Sequence, residues 1–209
     1  MSVRKKLNIG FISIGSILLL ALIFTSAQFF RIGESVNHAN NVQSKEIAVF
    51  NKIQIQLNAQ NAYARTYISD SSSQNKDLLL DSTLKLTEAI NAIPKDTSSE
   101  INNTIQTIRN HNETLSTYVD LIIKSMGDQN ISSALTLVNS DYNYTNQGIA
   151  NLSQKLIDYK NGQLVNDIAT AERSINVSLI FSIIMVFLTI ILVVSFLLYI
   201  KRGITSPLV

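Results

Sequence analysis

The chain has 209 residues, a formal net charge of +2 and no cysteine. So even a balance of charge argues against nucleic acid or a strongly acidic partner, and the missing thiols exclude disulfides and thiolate metal sites. Two prolines and seven glycines are few for this length and favour long helices.

Arg4-Lys5-Lys6 precedes an apolar run from Leu7 to Phe30. Two readings compete. One is a cleaved signal peptide with Thr25-Ser26-Ala27 as its small-residue cleavage site; the other is an uncleaved first membrane helix. The run is longer than the roughly 7–15 residues of a signal core, and no proline follows it before Ala48, which favours the anchor. A second run, Val177 to Ile200, holds about 24 uncharged residues, against the roughly 20 that span a bilayer. Arg173 and Lys201-Arg202 bound it. Ser178, Ser182, Thr189, Ser195 and Tyr199 are its polar side chains, and a helix hides hydroxyls by bonding them to its own carbonyls. The basic clusters lie on the outer ends of both runs, so both termini are expected in the cytoplasm and the middle outside.

The middle, residues 31–176, reads as helix throughout. Its first segment carries Val36, Ile47, Phe50, Ile53, Leu57, Ala64 and Ile68, interrupted by Asn40, Gln43, Gln54 and Asn61. Ser69 to Ser73 is a turn by composition. Leu79, Thr83, Leu86, Ile90 and Ile93 mark a second helix that stops at Pro94, and Thr97 or Ser98 can cap the next. Two heptad ladders follow. One is Ile101, Ile105, Ile108, Asn112, Leu115, Val119, Ile122, Met126; after a turn at Gly127-Asp128 comes Ile131, Leu135, Val138, Tyr142, Thr145, Ile149, Leu152, Leu156, Tyr159. The second slips near Tyr159 and resumes at Leu164, a stutter that unwinds a supercoil without ending the helix.

The sequence therefore predicts an all-α protein: two transmembrane helices flanking an extracellular antiparallel four-helix bundle, with helices near 31–69, 76–93, 98–126 and 130–176 joined by short loops. The expected divisions are 1–30 (stub and first span), 31–176 (sensory bundle), 177–200 (second span) and 201–209 (the start of a linker).

No catalytic constellation is visible. His38 and His111 lack an acid at metal-ligand spacing, and there is no phosphate loop or nucleophile elbow; no enzyme activity and no cofactor are expected. Asn112 sits on a ladder, where a lone Asn fixes register or serves as a ligand group. Asn58, Asn61, Arg65 and Ser69 recur at three- and four-residue spacing on one face of the first soluble helix. A guanidinium among neutral amides suits a carboxylate, making these the candidate ligand-binding residues; the competing reading is a solvated face. Tyr63, Tyr67, Tyr142 and Tyr144 are candidate pocket walls, Tyr142 also being a core position. Arg109 is expected at the surface.

The order span, bundle, span resembles the sensory half of a methyl-accepting chemotaxis receptor. Lys201-Arg202-Gly203-Ile204-Thr205-Ser206-Pro207-Leu208 is similar to the opening of a HAMP linker, and Asn61-Ala62-Tyr63-Ala64-Arg65-Thr66-Tyr67-Ile68 to the end of the first helix in such domains. The resemblance implies a homodimer in the bacterial cell membrane that detects a small molecule or an extracellular binding protein. It would meet the chemotaxis kinase and adaptor only through a cytoplasmic part beyond Val209, and the chain is expected to be a truncated form of such a receptor. Two other functions share the pattern: the input module of a sensor histidine kinase or cyclase, and a membrane-anchored helical scaffold with no ligand.

Overall fold

The computed structural model describes residues 3–96 and 98–200. Among them there is no strand. The elements are α1 (Val3–Asn37), a π-helical turn (His38–Gln43), α2 (Ser44–Ser69), α3 (Ser73–Asn91), α4 (Ser99–Gly127), α5 (Ile131–Leu137), a second π-helical turn (Val138–Tyr142) and α6 (Asn143–Ile200). The HAMP-like stretch 201–208 and Thr97 lie outside the described residues. The described chain divides into two compact units, residues 3–39 with 165–200 and residues 40–164.

In the second unit, four helical segments bury one apolar cluster. Phe50, Ile53 and Leu57 come from α2, Leu79 and Leu86 from α3, Ile108, Leu115 and Ile122 from α4, and Ile149 and Leu156 from α6. All eight positions of the Ile101–Met126 ladder are buried, because an uninterrupted α-helix returns the same face at alternating steps of four and three. Polar pairs cross the core in layers. The Gln60 amide donates to Thr83 Oγ1 at 2.8 Å, Tyr142 Oη donates to Gln60 Oε1 at 3.3 Å, and Asn112 Nδ2 donates to Thr87 Oγ1 at 3.0 Å. Asn146 Nδ2 donates to the Leu57 carbonyl at 3.3 Å. Buried polar pairs of this kind fix register, since a slip leaves them unpaired. They also report direction: partners of residues 60, 57 and 54 on α2 are residues 142, 146 and 154, so α2 runs opposite to the segment from the second π turn into α6.

Helix ends follow their local chemistry. Ser72 caps α3 by accepting from Asn75 N, and Ser98 caps α4 by accepting from Ile101 N. α4 ends at Gly127, with Asp128 as its cap, where the sequence places a turn. The left-handed residue is Gln129, with φ 56°, rather than a residue of the Gly127-Asp128 pair. Gln129 N donates to Met126 O at 3.1 Å and Asn130 N to Ser125 O at 2.8 Å, the double bond of a Schellman end. Asn130 then caps α5 by accepting from Ser133 N.

The Ile131–Tyr159 ladder is corrected in part by the structure. Val138, Tyr142, Thr145, Ile149 and Leu156 are buried as expected and Leu152 packs against the core, whereas Ile131, Leu135 and Tyr159 are exposed and Ala134, Asn146, Ser153 and Lys160 are buried in addition. The misses lie at the two ends: ahead of the second π turn Ala134 is buried in place of Ile131 and Leu135, and at the far end Lys160 is buried in place of Tyr159. Val36 is likewise exposed, ahead of the first π turn.

The first unit contains α1 and the last part of α6. Both helices are long and apolar enough to cross a membrane by length and composition. Their apolar side chains point largely outward, Phe11 being 66% exposed and Ile190 54%. Between the two helices, Phe24 and Phe181 meet at 3.9 Å between ring centroids, and Phe11 and Phe196 make an edge contact at 5.7 Å. A Cβ added at Gly10 would collide with the Phe196 ring, so glycine is what admits that ring. Of the hydroxyls in the apolar part of α6, Thr189 donates to Met185 O at 2.8 Å, whereas Ser178, Ser182 and Ser195 make no such bond among the described residues; on α1, Thr25 donates to Ala21 O at 2.8 Å.

Candidate functional site

The four residues singled out on α2 lie on one strip. Asn58, Arg65 and Ser69 are exposed and Asn61 is half-buried. The structure ties two of them together: Arg65 Nε donates to Asn61 Oδ1 at 3.2 Å. A third partner was missed by sequence reasoning. Arg65 Nη1 donates to Asn139 Oδ1 at 3.3 Å, from the second π turn. Two amide oxygens thus hold the guanidinium from opposite helices without neutralising it, and its remaining N–H donors stay available to an anion. Asn58 stands one turn before this cluster and Ser69 one turn after it on α2, and neither bonds to Arg65.

The aromatic walls are not assembled. Tyr67 and Tyr142 are buried in the core, and Tyr144 is 81% exposed. Tyr142 does lie near enough to feel the charge of Arg65. Burial pushes its phenol pKa well up, opposed in smaller measure by a hydrogen bond with Asn146 and by the Arg65 charge. Asn112 bonds Thr87 inside the core, which favours register over ligand binding. Arg109 is half-buried rather than superficial, and donates to the Ile93 carbonyl at 3.4 Å, bracing the turn after α3.

His38 Nδ1 lies 2.6 Å from Asp167 Oδ2, an acid 129 positions away that no local spacing reveals. His111 packs against α6, where a Cβ at Gly148 would be 3.1 Å from its Nδ1. Among the described residues no group of three metal-ligating side chains occurs.

The most strongly built polar cluster was also missed. Lys160 Nζ sits 2.6 Å from Glu46 Oε2 and 2.5 Å from Asp96 Oδ2, with side-chain exposures of 7%, 14% and 9% for the lysine, glutamate and aspartate. Asp96 Oδ1 accepts from Ser98 N at 2.8 Å, and Asn102 closes the same loop by donating to Asp96 O at 2.7 Å. Burial by itself would lower the lysine pKa, but the hydrogen bonds and charges of Asp96 and Glu46 outweigh it and raise it. The triad joins α2, the α3–α4 loop and α6. Its donors and acceptors face one another, so it is a structural clamp. The only sequence signal for it is the stutter after Leu156, where a lysine takes a core position.

Comparison with protein-family models, with curated proteins and with solved structures finds no match to this chain.

Proposed function

We propose that the chain is the sensory and membrane-anchoring part of a bacterial chemoreceptor-like transducer. In this reading α1 and the end of α6 span the cell membrane, and the helices between them form an extracellular antiparallel four-helix bundle. A small anionic ligand is held at Arg65, Asn61 and Asn139, and the protein works as a homodimer without enzymatic activity of its own. Ligand binding biases two arrangements of the bundle, and α6 passes a shift of about 1–2 Å to a HAMP-type linker beginning near Lys201.

The observation that carries this reading is α6 itself. One unbroken helix holds the core residues Ile149 and Leu156 and then the exposed apolar stretch through Leu198. A helix moves as a rigid element, so it suits the transfer of a small displacement. For the dimer, the outer face of α2 supplies Ala48, Ile55, Ala62 and Thr66, all exposed, with Ile55 at 63%. Apolar positions at heptad spacing on a face turned away from the core fit an isologous contact between two copies.

One experiment joins both parts. Ile55→Cys in membranes is expected to give a disulfide-linked dimer, and that locked dimer is screened by thermal shift against amino acids and dicarboxylates. For a ligand found this way, Arg65→Ala is expected to weaken binding by about 1.5–3 kcal/mol, ten- to a hundredfold. Arg65→Lys is expected to weaken it as well, because an ammonium lacks the planar fork. A ligand that binds Arg65→Ala as tightly as the parent would remove Arg65 from the site, and absence of the crosslink would refute the α2 contact.

A further inference from the structure

A groove of about 530 Å3 lies between the last turns of α4 and the face made by α5 and the second π turn. Leu121 and Leu137 are its apolar side chains, and Ser125, Asn130, Ser132, Ser133, Thr136, Ser140 and Asp141 its polar ones. The chain builds it by the sharp end of α4: Gln129 turns the backbone left-handed, and α5 returns along α4.

The chemistry of the lining is selective. Two further lining hydroxyls are spent on their own helix, Thr136 Oγ1 donating to Ser132 O at 2.9 Å and Ser140 Oγ to Thr136 O at 2.8 Å. The hydroxyls of Ser125, Ser132 and Ser133 make no such bond among the described residues. Among the described residues, Asp141 is the only charged one lining the groove. It is exposed and has no ion pair among the described residues. No described lysine or arginine lines the groove, so an anion meets no countercharge among these residues. Leu121, 43% exposed, offers a hydrocarbon surface beside the hydroxyls. Asp141 also belongs to a π-helical turn, an irregularity that occurs frequently at functional sites.

We infer that this groove binds a small organic ammonium compound carrying hydroxyl groups, an amino alcohol or amino sugar. Asp141 takes the ammonium, the three serine hydroxyls take the ligand's hydroxyls, and Leu121 covers its carbon skeleton. The site is separate from the Arg65 cluster. Asn139 bonds toward α2, whereas Ser140 and Asp141 line the α4 side. The inference does not depend on the ligand class proposed for Arg65 or on the membrane reading.

The test is calorimetric titration of the full chain in detergent micelles with glucosamine, ethanolamine and N-acetylglucosamine. The last keeps the sugar skeleton but has no ammonium. Saturable binding is expected for glucosamine or ethanolamine, with N-acetylglucosamine and Asp141→Asn each weakening it about tenfold. Asp141 is at the surface, so Asp141→Asn should keep parental helicity by circular dichroism. Asp141→Glu, which retains the charge, should bind the amines more tightly than Asp141→Asn. Failure of both amines to bind would overturn the proposal, as would N-acetylglucosamine binding as tightly as glucosamine or amine binding indifferent to Asp141→Asn.

Discussion

Lys160→Ala is expected to destabilise the helical unit by about 3–5 kcal/mol. The reason is electrostatic rather than volumetric. Glu46 and Asp96 are 14% and 9% exposed and converge on one ammonium; without it two carboxylates remain buried beside each other. Lys160→Met, which keeps most of the side-chain volume, should therefore cost nearly as much. Combining Lys160→Met with Glu46→Gln and Asp96→Asn removes all three charges and should recover most of the loss, because a buried ion network gives little net stability over a neutral packed one. Asn at position 96 can still accept from Ser98 N and keep the loop. Urea unfolding of the full chain in detergent, followed by circular dichroism, measures these differences. A single Lys160→Met as stable as the parent would show that the triad is hydrated and weak.

Tyr142→Ala is expected to cost about 3–5 kcal/mol, the range for removing a fully buried aromatic. Tyr142 is the largest fully buried side chain among the described residues, and its hydroxyl reaches Gln60 on α2. Tyr142→Phe keeps the ring but leaves Gln60 Oε1 without the hydroxyl it accepts from, and should cost about 1–3 kcal/mol. The same unfolding measurement separates the two, and equal losses would assign the whole effect to the hydrogen bond. Both Tyr142 and Lys160 also act at alkaline pH. Their folded-state pKa values are raised, so the native state keeps protons that the unfolded chain releases above about 10. Stability should fall as pH rises beyond that point, and Tyr142→Phe should lessen the slope.

The residues show why the sequence was readable in some places and not in others. The Ile101–Met126 ladder was legible position by position because α4 is regular and its buried face is apolar except for Asn112. The Ile131–Tyr159 ladder was legible from Val138 to Leu156 and missed at its two ends, where Ala134 and Lys160 are buried while Ile131, Leu135 and Tyr159 are exposed. The true inward line also includes Ser153 and Lys160, which an apolar pattern passes over in favour of Leu152 and Tyr159. The pairing of Arg65 with Asn61 followed from helical spacing alone. Asn139 did not, since it depends on the register between α2 and the π turn, which the Gln60–Tyr142 and Leu57–Asn146 bonds set. Gln129 could not be singled out either, because a glutamine in the left-handed region runs against its own preference and is held there by the two closing bonds. The buried triad is a long-range arrangement of ordinary charged residues; the stutter after Leu156 hints at Lys160, but nothing local marks Glu46 or Asp96 as its partners.

Membrane topology tests the account most directly. The chain has no native cysteine, so single substitutions report one site each. In intact cells an impermeant thiol reagent should label Ser72→Cys, at the cap of α3, and should label Ser2→Cys only after permeabilisation. Labelling of Ser2→Cys in intact cells, or a mature protein that begins at Gln28, would contradict the arrangement of two spans with the helical core outside.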